Sequence, residues 1–191
     1  MKKSLFGIVA SVFLAVSAHV TASPITLNGT QNQTTDGQDF TFNFVGLAPS
    51  DGSGGTFVLH AQGDYEGATT ETLSWNMDSG TVSAGPVGGF LNPCAGGVGG
   101  PFDFCTVFQP LGNVEWQRTY SLTGAQINAL LADSAISIFV DLAADVGLFN
   151  PPNFVEVTLT YNSSSQVPEP GILALLGLGL ASLAASRRRK R

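Results

Sequence analysis

Apolar and polar positions alternate along much of this chain. Phe40, Phe42 and Phe44 stand against Thr41 and Asn43, and Phe57, Leu59 and Ala61 against Val58 and His60. The pattern returns at Leu73, Trp75 and Met77, and at Val114, Trp116, Tyr120 and Leu122. It returns again at Ile136, Ile138, Val140 and Leu142, and at Val155, Val157, Leu159 and Tyr161. Successive side chains of a strand point to opposite faces, so a two-residue period marks strands with one face buried and one face wet. Clusters of Gly, Asn, Asp, Ser and Pro separate the runs and supply turns. Many short strands of this kind predict an all-β fold, an antiparallel β-sandwich of jelly-roll-like form.

One segment changes period. In residues 122–133, Thr123 stands three before Gln126 as a capping box, and Ile127, Leu130 and Leu131 follow at helical spacing. The pattern predicts one short helix crossing an end of the sandwich, with its apolar stripe as a lid on the core.

The two ends read differently from the middle. Lys2 and Lys3 precede an apolar run over 5–17, and Val20-Thr21-Ala22 supplies small residues for cleavage, which makes residues 1–22 a secretory signal helix and Ser23 the mature N-terminus. At the other end Val167-Pro168-Glu169-Pro170 is a stiff, extended spacer, because each proline fixes its own φ and disfavours helix in the residue before it. Residues 171–185 follow without a charge. As a helix they extend about 22 Å against a hydrocarbon core of about 30 Å, a short transmembrane helix that snorkelling arginines and local thinning can accommodate. Arg187, Arg188, Arg189, Lys190 and Arg191 are the membrane stop, held in the cytoplasm by the positive-inside rule. The domain expectation is therefore 1–22 signal peptide, 23–166 extracellular sandwich and 167–191 tail, subdivided at 167–170, 171–185 and 186–191.

Charge sharpens the picture of the middle domain. Of the chain's eight Lys/Arg only Arg118 lies within 23–166, against thirteen of the fourteen Asp/Glu, so the domain stands near −12 although the whole chain is −6. Such a surface excludes nucleic acid as a partner and turns away anionic membranes. Cys94 and Cys105, the only cysteines of an exported chain, are expected to form a disulfide that closes a loop with four glycines.

No catalytic constellation stands out, and the domain is read as not an enzyme. His60, the one histidine beyond the signal, has no sequence neighbour that would make a triad or zinc site, and is expected as an exposed strand residue. Arg118 shares parity with Trp116 and Tyr120, and the expectation is a bulge that turns it outward rather than a paired cation on the inner face. Carboxylates near strand ends suggest calcium as a candidate cofactor, with Asp51, Asp64, Glu66, Glu71 and Asp78 as candidate oxygen ligands and Asp51-Gly52-Ser53-Gly54-Gly55 as a flexible acidic loop. No EF-hand spacing accompanies them.

The Val-Pro-Glu-Pro element, the short helix rich in Gly, Ala and Leu, and the arginine-rich end, in that order, resemble the PEP-CTERM sorting signal of Gram-negative bacteria. The resemblance covers the last 25 residues and implies that Val167, Pro168, Glu169 and Pro170 are the sorting motif read by exosortase, a membrane-embedded transpeptidase. It implies a transient anchor in the inner membrane and delivery to the cell surface or extracellular matrix. Proteins with such tails are associated with exopolysaccharide and biofilm, so the expected function is structural, within that matrix. The alternative is a carbohydrate-binding module, calcium-dependent in one form, in which exposed rings among Phe102, Phe104, Phe108 and Trp116 stack on exopolysaccharide sugars.

Overall fold

The structure, a computed structural model, describes residues 22–65, 70–89, 94, 100–108, 113–148, 152–164 and 179. The signal segment before Ala22, Glu66, the sorting motif Val167 to Pro170 and the basic residues 187–191 lie outside the described residues, as does all of the expected membrane helix except Gly179. Among the described residues no helix is long and apolar enough to cross a membrane.

Ala22–Ser165 forms one compact unit. Its strands are β1 (Ser23–Asn32), β2 (Asp39–Val45), β3 (Ser50–Asp64), β4 (Thr72–Met77), β5 (Val82–Gly88), β6 (Phe104–Phe108), β7 (Asn113–Leu122), β8 (Ala135–Leu142) and β9 (Phe154–Ser163). They make two antiparallel sheets, ordered β1-β9-β3-β7-β6 and β2-β8-β4-β5. The pairings nest: β1 lies on β9, β2 on β8, β3 on β7 and β4 on β5. The chain is thus one long hairpin rolled over on itself, with β6 added at an edge.

The alternation read from sequence decides which face turns inward. Phe57, Leu59 and Ala61 of β3, Val155, Val157, Leu159 and Tyr161 of β9, and Val114 and Trp116 of β7 are buried. From the second sheet Phe40, Phe42, Trp75, Met77, Ile136, Ile138 and Val140 join them in one cluster. Rings lock the faces together: Phe57 lies 4.5 Å from Trp75 between centroids, and Trp75 lies 4.8 Å from Tyr120, edge to face. One end is closed by polar groups. Gln33 donates to the carbonyls of Val146 (2.8 Å) and Thr35 (3.1 Å), and Asn113 donates to the Asn153 side chain at 3.3 Å. The N–H groups of the Gln33 and Asn113 amides are thereby paired rather than left to cost the fold.

The expected helix is α1 (Gly124–Leu130), with the capping box formed in both directions between Thr123 and Gln126. Ile127 and Leu130 are its buried positions.

Two expectations are corrected. Asp51-Gly52-Ser53-Gly54-Gly55 is no flexible loop but the first part of β3, with a register shift between Ser50 and Gly55 in its pairing with β9. Its glycines give helix α1 a seat. A Cβ on Gly124 would stand 1.9 Å from the Gly52 carbonyl oxygen, and one on Gly55 would stand 2.6 Å from the Thr160 carbonyl oxygen and 3.0 Å from Ile127. Nor does a bulge turn Arg118 outward. The β3–β7 register runs unbroken, with Arg118 opposite buried Leu59, so the domain's one cation keeps inward parity. Its guanidinium lies 4.7 Å from the centroid of the Tyr120 ring, a cation–π contact.

Cys94 and Cys105 are joined as a disulfide. Cys105 pairs in register with Trp116 and packs with Phe102 and Val107 against the core, so the bond ties edge strand β6 to the glycine-rich segment before it.

Two measurements check this packing. Replacing Gly124 with alanine is expected to lower unfolding free energy by about 2 kcal/mol or more, because backbone must move to admit the methyl. Replacing both cysteines with alanine is expected to cost about 2–3 kcal/mol through restored freedom of the unfolded chain. Urea melts report both, and an unchanged midpoint for Gly124→Ala would refute the seat.

Candidate functional site

The outward face of the five-stranded sheet carries the densest cluster of ionisable and aromatic groups. His60 projects from β3, the central strand, between neighbours β7 and β9. Its Nε2 lies 2.9 Å from Glu115 Oε1 and its Nδ1 lies 3.0 Å from Glu156 Oε2. Which ring nitrogen donates is set by the tautomer, so the two contacts are assigned by distance alone. The rings of Phe154, at 5.0 Å, and Phe104, at 6.4 Å, meet His60 at steep interplanar angles. His60 is therefore half-buried and clamped, with side-chain exposure of 21 %, rather than the open strand histidine the sequence suggests. Glu115 and Glu156 lie 55 and 96 residues away in sequence, so only strand order could reveal them.

The four candidate stacking rings separate. Trp116 is fully buried, with Phe102 5.4 Å away and Tyr65 5.7 Å away between centroids. Phe104 and Phe108 are 40 % and 41 % exposed, two outward positions of β6. The strand has inverted the usual assignment, putting Cys105 and Val107 inward and the larger rings outward.

The described calcium candidates, Asp51, Asp64, Glu71 and Asp78, are not grouped in one place. Asp51 and Asp64 stand at opposite ends of β3, roughly 40 Å apart at about 3.3 Å per residue. A hydrogen bond from the Ser53 side chain, and then one from the Ser53 backbone N–H at 2.8 Å, hold the Asp51 carboxyl below its usual range. Asp78 accepts from the Ser137 N–H at 2.8 Å and ties the β4–β5 connection to β8. Glu71 immediately precedes β4, and its carbonyl accepts from Gly89. Among the described residues no three His, Cys, Asp or Glu side chains are grouped as metal ligands.

Sequence reasoning passed over the outward face of the four-stranded sheet. A depression of about 640 Å³ lies there, and Phe139 of β8 is flanked in register by Thr41 of β2 and Asn76 of β4. Alternation does mark these three as outward; their adjacency follows only from strand order. One row along, Asp39 and Asp141 face each other across β2 and β8. Partial burial, then the charge of Asp39 and a hydrogen bond with it, push the Asp141 carboxyl above its ordinary value.

That shift fixes the sign of a pH effect. An acid whose folded pKa is raised binds its proton more tightly in the folded state, so stability falls as pH rises through the window from the unfolded to the folded value. Asp39→Asn is expected to raise stability at neutral pH by roughly 0.5 kcal/mol, the scale of one like-charge cross-strand pair. The gain should vanish in acid, where both carboxyls are protonated. Thermal melts of the variant and parent across pH check this, and a gain that persists in acid would refute the repulsion.

No curated protein and no solved structure matches the chain. Residues 166–190 match the family described as the PEP-CTERM protein-sorting motif. That motif is the recognition signal for exosortase processing, and it implies export with a C-terminal membrane-anchored sorting tail. The chain therefore carries, at residues 166–190, the PEP-CTERM motif of an exosortase-sorted extracellular protein.

Proposed function

We propose that the mature protein is a non-catalytic structural component of the exopolysaccharide matrix of a Gram-negative cell. The observation that carries this reading is the sorting motif at residues 166–190, which hands the domain to the outside. The domain's surface chemistry supports it. Outward positions of β1, β3 and β9 are linked by neutral contacts, Thr26 with Thr160 at 3.2 Å, Thr158 to Asn28 at 2.8 Å and Asn162 to Ser53 at 3.0 Å. These hydroxyls and amides sit on a domain whose net charge, near −12, keeps it soluble. The lone histidine also supports a passive role. Both His60 nitrogens are engaged within the sheet face, Nε2 by Glu115 and Nδ1 by Glu156.

A second reading, a carbohydrate-binding module, is favoured by exposed Phe104 and Phe108. They stand four residues apart on one face of β6, about 13 Å along the strand, a distance that spans more than one sugar ring of a chain.

Fractionating the native host tests the first reading. The protein is expected in the extracted matrix, with an intact mass lacking residues 1–22 and the five terminal cations. Replacing Pro168 and Pro170 with alanine should leave the unprocessed chain in the inner membrane. Recovery wholly in the culture medium, or a surface product retaining Arg187 to Arg191, would overturn the reading.

A further inference from the structure

We propose that the outward face of the β2-β8-β4-β5 sheet is a binding trough for a neutral polysaccharide, centred on Phe139. This rests on the matrix reading for the presence of such a polymer, but the trough's chemistry is argued from its own residues.

The register builds a continuous row. Thr41 pairs with Phe139, Phe139 with Asn76, and Asn76 with Ser83, so one outward side chain from each of four strands stands in line. At about 4.8 Å between strands, the row is about 14 Å long. Ser137, two residues along β8, widens it, and Ser79 with Gly80 forms a rim beyond β4. The depression they line, about 640 Å³, is within the range of small-molecule sites.

It does not stop there. An adjoining depression of about 450 Å³ shares Asn76 and Ser83 with the first, and a third of about 330 Å³ shares Ser74 and Gly85 with the second. Together they make a trough running along the sheet towards Asp141. A trough open along its length suits a chain rather than a single small molecule.

The lining states the ligand's chemistry. Nothing lining the first depression is charged, on a domain in which one arginine faces thirteen carboxylates. Serine and threonine hydroxyls and the asparagine amide each donate and accept, as sugar hydroxyls do. Phe139 adds a ring face for the C–H side of a pyranose. Asp78 at the rim already accepts the Ser137 N–H, which fixes the β4–β5 connection against β8 and holds the trough's shape. At the far end, the Asp39 and Asp141 carboxylates offer acceptors to hydroxyl donors, while their repulsion and the domain's net charge turn away uronic acids. Among the described residues the one cation, Arg118, keeps inward parity in the opposite sheet and does not reverse that preference.

Native electrophoresis of the full exported protein, in gels containing neutral glucan, mannan or galactan or an acidic polygalacturonate, tests the proposal. The expected result is retardation by at least one neutral polymer, unchanged by added salt or chelator, with none by polygalacturonate. Asn76→Ala should weaken the interaction at least about tenfold, some 1.4 kcal/mol. Because truncating Phe139 on a central strand risks the fold, Ser83→Trp on edge strand β5 is the second variant; it fills the trough from outside and should abolish retardation with the melting temperature kept. Phe104→Ser with Phe108→Ser should leave binding intact. The trough is overturned if no neutral polymer retards the protein, if polygalacturonate alone does, or if binding is lost only in the Phe104/Phe108 variant. That last result would leave the carbohydrate-binding reading standing. A protein that enters the extracted matrix yet binds none of these polymers would refute the trough and spare the matrix reading; one that binds through the trough but washes into the medium would do the reverse.

Discussion

The contact between Phe57 and Trp75, 4.5 Å between ring centroids across the two sheets, is the interaction on which the rest depends. It belongs to a chain of rings in which Tyr120 packs on both, at 5.9 Å from Phe57 and 4.8 Å from Trp75, and Arg118 lies over Tyr120. Phe57 sits on β3, which pairs with β7 and β9. Fixing its ring inward therefore fixes the parity of three strands at once. Every outward residue that could meet a ligand, His60 and Glu156 included, is outward because these rings are inward. A one-residue slip in any of these strands would exchange the two sets.

Much of that parity was legible in sequence, because β2, β4, β8 and β9 and the later half of β3 alternate cleanly. The strands that escaped reading each lacked a burial signal for a stated reason. In β1 only Ile25 and Leu27 supply the alternation before the polar stretch of residues 28–32. In β5 Gly85, Pro86 and Gly88 read as a turn although Val82 and Val87 are buried. In β6 the aromatics face water and the smaller Cys105 and Val107 face the core, so a size-based reading points the wrong way. The start of β3 was misread for a related reason. Its glycines look like flexibility, whereas the missing side chains of Gly54 and Gly55 admit the backbone of Leu122 and Thr160.

The candidate sites were less legible than the fold, since a site on a sheet face is an adjacency between strands. His60, Glu115 and Glu156 are each unremarkable in their own segments; β7-β3-β9 order alone makes them a clamp. Thr41, Phe139 and Asn76 likewise come from strands far apart in the chain. The sorting tail is the opposite case. Its three parts are contiguous, so a family match at residues 166–190 and a plain physical reading reach the same segment.

The register of β1 on β9 pairs Ser23 with Ser163, and β9 is bonded along its other edge to β3. The chain thus leaves the domain from a strand held on both sides, while Ser23 sits in an edge strand beside that exit. Whatever is attached beyond Ser164 is thus joined to the domain through a strand laddered on both edges, whereas Ser23 is joined through a strand laddered on one.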